Sequence, residues 1–285
     1  MTDADDPLGP HRSRLMGLAY RMLSSRAEAE DVLQDAYLRF SGAKHVDNAE
    51  AFLVTTVTRL CLDRLKSARA RREIYVGPWL PEPVFDAGAL SPHAATELAD
   101  DLSFALLLTL ERLTPVERAA FLLHDVFGAP FADVAHTLER SEEACRQIAS
   151  RARRAVREGH PRRDTDPAAR TRLLAAFADA IASGDVARLT ALLRADAVAI
   201  TDGGGVKRAA LNPIRGADRV ARFFIGLMRK FGGGFRVEPR TINGALGLVL
   251  FLDDMIDQTL SIESDGERII AIYAVRNPEK LARLS

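Results

Sequence analysis

Apolar residues recur at three- and four-residue spacing over residues 8–72, a pattern typical of amphipathic helices. One stripe runs from Leu15 to Leu23, and a second follows Ser25, which forms a capping box with Glu28 at the start of a helix. A third stripe ends in a basic segment that has six Arg or Lys and one Asp between positions 59 and 72. The pattern predicts a helical bundle with one strongly basic helix end.

A helix-turn-helix pattern occupies residues 131–154, inside a second helical segment predicted over 101–160. Ser141 suits the N-cap of the second helix, whose apolar face begins at Cys145. The opposite face carries Arg and Gln, which hydrogen-bond guanine and adenine in the DNA major groove. The pattern therefore predicts DNA binding, and the alternative is a solvated basic helix at the end of a bundle. The predicted contacts are Ser141, Glu143, Arg146, Gln147, Ser150, Arg153 and Arg154.

Residues 73–100 have the composition of a linker. Its prolines at 78, 81 and 83 cannot continue a helix, because proline lacks the amide donor and has a fixed φ. The single tryptophan of the chain, Trp79, lies among them. A tryptophan has a large apolar area, so it is expected to dock onto a surface, and a purely local staple is the alternative.

The pattern changes over residues 166–285. Helical spacing from Pro167 to about Leu193 is followed by a strand, a turn at Asp202–Gly205 and a further helix. Four strand-like segments then follow between Phe235 and Val275. Helices followed by a run of antiparallel strands with tight turns are typical of an α+β domain.

Net charge, cysteine content and the absence of long apolar runs exclude several classes of protein. The 285-residue chain has a net charge of zero, so any affinity for nucleic acid must come from local basic patches. It has only 2 cysteines, which argues against a zinc site or a disulfide framework and favours a reducing compartment. The acidic N-terminus does not resemble a signal peptide, and no apolar run is long enough to span a membrane. A cytoplasmic protein without a metal or cofactor is expected.

The two helical segments resemble regions two and four of the extracytoplasmic-function sigma factors of bacteria. Arg26–Arg39 is similar to the helix with which those factors bind the clamp helices of RNA polymerase. Asp63–Lys66 looks like the end of the −10 recognition helix, and Phe131–Arg154 looks like the −35 reader. The resemblance implies promoter-specific transcription initiation, with core RNA polymerase and promoter DNA as partners.

Three further motifs resemble a subgroup of this family that carries a C-terminal SnoaL-like domain. They are Trp79–Pro83, Asp202–Gly205 with a lysine at Lys207, and the tail Asn277–Leu281. The resemblance covers nearly the whole chain. It implies two all-α sigma domains followed by an α+β SnoaL/NTF2-like domain, the cone-shaped fold shared with ketosteroid isomerase.

The resemblance assigns roles to specific residues. The polymerase contacts are expected on the outer face of the second helix, at Glu30, Asp31, Gln34 and Asp35. The −10 contacts are expected at His45, Asn48, Arg59 and Lys66, with a helix cap as the alternative role of Asn48. The residues expected to regulate the sigma domains in cis are Trp79, Pro81, Glu82, Pro83, Asp202, Gly203, Gly204, Gly205, Lys207, Asn277, Pro278 and Lys280.

An enzymatic alternative rests on the C-terminal domain alone, since folds of this kind enclose a cavity. Catalysis of an isomerase or cyclase type would need a buried carboxylate near a Tyr hydroxyl, and the cavity is otherwise expected to hold a small ligand of unknown identity. A ligand-gated dimeric repressor is a third hypothesis. The favoured reading is a non-enzymatic sigma factor without a dedicated anti-sigma factor. The candidates for an acid–base pair are Asp196, Asp202, Asp253, Asp254, Asp257 and Tyr273.

Overall fold

A computed structural model describes residues 8–73, 75–85, 87–90, 101–159, 166–231 and 234–284. They form two compact units, one from residues 8–73 and 87–159 and the other from residues 75–85 and 166–284. Residues 75–85 of the predicted linker over 73–100 are thus part of the second unit. Residues 91–100 of that linker, and the side chains of the basic positions 69, 71 and 72, lie outside the described part.

The first half of unit one is a three-helix arrangement of α1 (Arg12–Leu23), α2 (Arg26–Ser41) and α3 (Ala49–Glu73). The predicted capping box begins α2, because the Ser25 hydroxyl accepts a hydrogen bond of 3.3 Å from the amide of Glu28. The apolar stripes of the three helices meet in a core that includes Leu15, Leu33 and Leu53.

The second half of unit one contains α4 (Phe104–Glu111), α5 (Pro115–Phe121), α6 (Phe131–Leu138) and α7 (Glu142–Gly159). A π turn over Leu122–Val126 continues α5, and a 3₁₀ turn at Gly88–Leu90 precedes these helices. Helices α6 and α7 are the predicted helix-turn-helix. The apolar face of α7 is buried as expected, through Cys145, Ile148, Ala152 and Val156.

A buried arginine joins the two halves of unit one. Arg118 of α5 donates from Nη1 to the Met22 carbonyl at 2.6 Å and to the Glu111 carboxylate at 2.9 Å. The Ser24 hydroxyl, at the end of α1, donates to the same carboxylate at 2.8 Å. Burial lowers the pKa of Arg118 to about 10. The two helical segments that the sequence separates therefore pack together as one unit.

The second unit is a mixed sheet covered by helices. Its helices are α8 (Pro167–Ser183), α9 (Val186–Leu192), α10 (Ala217–Phe231) and α11 (Pro278–Leu281). Its strands are β1 (Leu193–Asp202), β2 (Ile214–Arg215), β3 (Arg236–Ile242), β4 (Ala245–Leu252), β5 (Met255–Ser264) and β6 (Ile269–Val275). The strand order is β2-β1-β6-β5-β4-β3.

The predicted antiparallel run is correct for β3 to β6, and the earlier strand β1 pairs with β6 in parallel, a pairing that the sequence pattern did not predict. The chain reverses once from β1 to β2 and three more times from β3 to β6, so β6 runs beside β1 in the same direction. One face of the sheet packs on α8 and α10, where the rings of Phe177 and Phe224 meet edge to face at 5.6 Å. The predicted α+β class is confirmed.

None of the helices in the described part of the chain is long and apolar enough to cross a membrane.

Candidate nucleic-acid interface and linker site

The outer face of α7 presents polar side chains as the sequence predicted. Ser141 caps the helix, since its hydroxyl accepts the Ala144 amide at 3.2 Å. Arg146 is exposed, and its guanidinium is held by the Glu142 carboxylate at 2.6 Å and lies 5.3 Å from the centre of the Phe131 ring. The other exposed side chains of this face are Glu143, Gln147, Ser150 and Arg154.

Arg153 departs from the prediction that it faces outward. Its side chain is half-buried, and Nε donates to the Asp125 carboxylate at 2.6 Å. Asp125 lies in the π turn after α5, so this ion pair ties the reading helix to the rest of unit one. A periodic pattern on α7 alone could not reveal a partner 28 residues earlier in the chain.

The predicted −10 residues at the start of α3 are exposed and locally paired. Asn48 has the role of a helix cap, because its Oδ1 accepts the Ala51 amide at 3.0 Å. His45 lies 2.8 Å from the Asp47 carboxylate. At the other end of the helix, Lys66 pairs with Asp63 at 2.8 Å. Weak local pairs of this kind leave these side chains accessible to a partner.

Arg59, another predicted −10 contact, forms hydrogen bonds and an ion pair with the helix-turn-helix. Its guanidinium donates to the carbonyl oxygens of His136 and Thr137, each at 3.2 Å, at the end of α6. It also pairs with Glu139 at 3.1 Å, and the hydroxyls of Thr55 and Thr137 meet at 3.1 Å. An arginine at a helix C-terminus satisfies unpaired carbonyls and interacts favourably with the helix dipole. The contact therefore docks α6 on α3.

The predicted polymerase face of α2 is acidic and largely accessible. Asp31 and Asp35 both accept from Arg64 of α3, at 3.3 and 3.0 Å. Their side chains are 61% and 47% exposed, respectively. Glu30 pairs with Arg26 within the helix at 2.9 Å, and Gln34 is exposed.

A buried carboxylate organises what we call the linker site, formed by residues 75–84, the turn after β1 and the tail. Asp202 is fully buried, and its Oδ1 accepts the Tyr75 hydroxyl at 2.6 Å and the Gly204 amide at 3.0 Å. Its Oδ2 accepts the Leu80 amide at 2.9 Å and the Lys280 ammonium at 2.7 Å. Burial, followed by the hydrogen bond to Asp202, raises the pKa of Tyr75.

The tail closes the linker site from the other side. Asn277 donates from Nδ2 to the Tyr75 hydroxyl at 2.9 Å, and its Oδ1 caps α11 by accepting the Glu279 amide at 3.0 Å. Lys280 also donates to the Leu80 carbonyl and lies 4.2 Å from the centre of the Trp79 ring. Trp79 thus contacts the tail, which agrees with a docked side chain rather than a purely local staple.

The glycines of the turn after β1 are required by space and by backbone conformation. A Cβ on Gly203 would lie 2.0 Å from the Lys207 carbonyl oxygen. Gly204 has a φ of +64°, and a Cβ there would lie 2.4 Å from Cγ of Asn277. Side-chain-bearing residues rarely adopt that φ, so glycine permits the close approach of turn and tail.

The second half of the linker is also incorporated into the sheet domain. Pro81, Glu82 and Pro83 are buried. The Val84 amide donates to Oδ1 of Asn243 at 3.1 Å, and the Asn243 amide donates to the Val84 carbonyl at 2.8 Å. Sequence reasoning missed Tyr75 and Asn243. Nothing local in the sequence indicates that Val84 and Asn243 are partners, since they lie 159 residues apart.

Comparisons with known proteins bear on each part of the chain. Residues 9–71 match Sigma-70 region 2, and residues 103–156 match Sigma-70, region 4. The chain is 39% identical over 281 residues to the ECF RNA polymerase sigma factor SigJ of Mycobacterium tuberculosis, covering 94% of this chain and 90% of the relative. The chain belongs to the extracytoplasmic-function RNA polymerase sigma factors. It is a transcription initiation factor.

Other similarities extend along the full length of this sigma factor. It is 30% identical over 275 residues to the probable ECF RNA polymerase sigma factor SigI of M. tuberculosis, covering 95% of this chain and 92% of the relative. The crystal structure of M. tuberculosis SigJ matches it with a TM-score of 0.75 at 36% identity, covering 95% of both chains. The predicted family and the arrangement of two sigma regions before a SnoaL-like domain are confirmed.

The candidate acid–base residues of the sigma factor are engaged elsewhere. Asp196 pairs with Arg194, and Asp253 and Asp254 lie in the turn between β4 and β5. Asp257 accepts from Lys207 and Arg276, and Tyr273 lies buried within β6. Within the described residues, the buried carboxylate that meets a Tyr hydroxyl is Asp202 with Tyr75, in the linker site. That pair is enclosed by the linker and the tail rather than by a substrate cavity.

Proposed function

We propose that α7 reads the −35 promoter element through Arg146 and Gln147. Both side chains are exposed on the face opposite the buried core of the helix. Arg146 is already oriented by Glu142 and Phe131, which lowers the cost of placing its guanidinium against a guanine edge. Ser141, Ser150 and Arg154 flank these two and suit phosphate contacts, and the Glu143 carboxylate suits a base amino group. Arg153 serves mainly to hold the helix through Asp125.

The −35 assignment is tested by replacing two arginines that differ in expected role. Arg146→Ala should relax base preference at one position and cost about 1–3 kcal/mol of binding. Arg154→Ala should weaken all sequences alike and reduce the salt dependence, as a phosphate contact does. Competition binding to a set of single-base promoter variants measures both effects. Equal weakening on every sequence by both variants would remove base reading from Arg146.

We also propose that the acidic face of α2 contacts core RNA polymerase and that α3 contacts the −10 element. Asp31, Asp35, Glu30 and Gln34 offer acceptors that basic groups of a partner can take over from Arg64 and Arg26. For the −10 element, we propose phosphate contacts by Arg59 and Lys66 and a recognition loop that contains His45 and is oriented by the Asn48 cap.

We further propose that the SnoaL-like domain regulates initiation in cis through the linker. The observation that carries this is the linker site: the segment between the two sigma regions is held by Asp202, Asn277 and Lys280 of the C-terminal unit. Capturing residues 75–84 shortens the free tether between regions two and four, and a tethered domain acts at high effective concentration. This regulation operates inside one chain, and the absence of a dedicated anti-sigma partner stays a prediction.

Run-off transcription with purified core polymerase tests cis regulation. Lys280→Ala and a chain that ends before Asn277 should both change transcript yield several-fold, as expected for a coupling of about 1–3 kcal/mol. Lys230→Ala, the same substitution at an exposed site on α10, is the matched control and should leave the yield unchanged. Equal yields from all four proteins on one promoter would disprove regulation through the linker site.

A further inference from the structure

The sheet domain encloses an apolar cavity of about 250 Å³ between α8, α10 and the strands. Its walls are formed largely by apolar side chains, among them Phe177, Ile181, Leu248 and Leu260. A carboxylate in the lining, that of Asp179, is 70% exposed and pairs with Arg188 at 3.6 Å. A second lobe of about 150 Å³ adjoins it, and Leu227 lines both. Together the lobes fall within the size range of small-molecule sites, which begins at about 300 Å³.

The two lobes share a polar end formed by Gln258 and Arg276. Gln258 is 9% exposed, and its side-chain amide hydrogen-bonds to no other residue in the described part of the chain. The amide opens onto the cavity rather than being sealed in the core, so water or a ligand can be its hydrogen-bond partner. The amide therefore marks a place where a polar ligand atom would be stabilised.

The charge at this end of the cavity is positive. Arg276 donates to Oδ2 of Asp257 from Nε at 3.2 Å and from Nη2 at 2.8 Å, and from Nη1 to the Arg208 carbonyl at 2.8 Å. Lys207 reaches Oδ1 of the same aspartate at 3.1 Å. Two cations thus share one carboxylate. An additional anion beside Arg276 would balance the cluster and form a charge-assisted hydrogen bond.

We propose that the cavity binds a small monocarboxylic acid with an extended apolar body. The carboxylate lies beside Arg276 and accepts from the Gln258 amide, and the body fills the space between Phe177, Leu227 and Leu248. Binding of the acid in this cavity is independent of the cis regulation proposed above. The ligand head would lie close to the linker site, because the Arg276 amide donates to the Asp202 carbonyl at 2.7 Å.

Titration calorimetry on the intact chain tests the proposal with two probes that share one body, decanoate and decylamine. Decanoate should bind roughly tenfold more tightly or better, since its head is a charge-assisted acceptor and that of decylamine is a cation. Gln258→Glu should abolish this preference by placing a carboxylate at the polar end. Thr241→Glu adds the same charge at an exposed position of β3 and should leave both affinities unchanged.

A second pair of variants separates ligand recognition from folding. Gln258→Leu removes the amide without adding charge and should weaken decanoate more than decylamine. Leu227→Trp fills both lobes and should weaken both probes, with circular dichroism verifying the fold of each variant. Equal affinity of the intact chain for the two probes would overturn carboxylate recognition, and binding of neither would overturn the cavity as a site for this ligand class.

Discussion

Two polar contacts hold functional segments of this sigma factor, and they differ in burial. In the linker site, the carboxylate of Asp202 is fully buried and accepts from Tyr75, Leu80 and Lys280. In unit one, Arg59 holds the end of α6 through two backbone carbonyls and Glu139, while its own side chain is 42% exposed. One contact is a closed cluster, and the other faces solvent.

The difference indicates which contact can exchange during promoter binding. A buried charge cannot lose its partners without a desolvation cost of several kcal/mol, so the linker is expected to stay with the C-terminal domain. A solvent-exposed ion pair contributes at most about 1 kcal/mol, and DNA phosphate can replace it. We therefore expect α6 to separate from α3 on promoter DNA while residues 75–84 remain held.

The largest effect is expected from Asp202→Ala. Removing the carboxylate leaves the Lys280 ammonium without its buried counter-ion and the Leu80 amide without an acceptor, which should cost about 3–5 kcal/mol. Urea unfolding measures the loss, and hydrogen exchange at Leu80 should accelerate. Asp254→Asn, at a side chain that is 94% exposed, is the control; it removes a carboxylate charge, suits the positive φ of that position and should change stability by less than about 0.5 kcal/mol. Similar losses in the two variants would contradict a buried cluster.

A smaller loss is expected from Gly204→Ala, because the added Cβ collides with the Asn277 side chain and the residue keeps a positive φ. The expected cost is about 1–3 kcal/mol. Gly128→Ala is a close control, since Gly128 has a φ of +70° and no atom within 4 Å of the added Cβ. The difference between the two losses of unfolding free energy isolates the collision. If the losses are equal, contact between turn and tail contributes nothing.

The sequence predicted the helices of both sigma regions because their apolar periodicity and caps are local properties. Ser25 and Ser141 both cap helices as their patterns indicate. The predicted α+β class was also correct. Parallel pairing of β1 with β6 was missed, because strand order depends on how the whole domain closes rather than on any one segment.

The sequence did not predict contacts that depend on a distant partner. Arg153 has the composition and spacing of a DNA contact, but Asp125 neutralises it. Tyr75 lies close to the Trp79–Pro83 motif, but its partner Asp202 is 127 residues away in the sequence. The family resemblance identified Asp202, Asn277 and Lys280 as a set, and only the structure reveals the carboxylate that joins them.

Replacing Tyr75 by Phe removes one hydrogen bond of the linker site and should cost about 1 kcal/mol at neutral pH. The substitution should also change the alkaline profile. Because the pKa of Tyr75 is raised in the folded chain, the unfolded chain loses the phenolic proton first, at pH ~10. The contribution of Tyr75 is therefore complete below pH ~10 and is lost as the pH rises further.

Urea midpoints measured at several pH values on either side of that point test the assignment. The intact chain should lose stability more steeply above pH ~10 than the Tyr75→Phe variant does. Tyr37→Phe, on α2 of the other unit, should retain the slope of the intact chain. Parallel profiles for the intact chain and Tyr75→Phe would show that the hydroxyl does not sense Asp202.

The smallest effect on stability is expected from Arg59→Ala. The side chain is half-exposed, so losing its hydrogen bonds to the His136 and Thr137 carbonyls should cost at most about 1 kcal/mol of unfolding free energy.

DNA binding should respond in two ways, because Arg59 is proposed both to dock α6 and to contact phosphate. Glu139→Ala removes only the ion pair within the protein and leaves the phosphate contact available. Salt-dependent binding to a promoter fragment should therefore weaken with a reduced slope for Arg59→Ala and strengthen slightly for Glu139→Ala. If both variants bind as the intact chain does, α6 does not compete with DNA for Arg59, and the contrast between the two contacts fails.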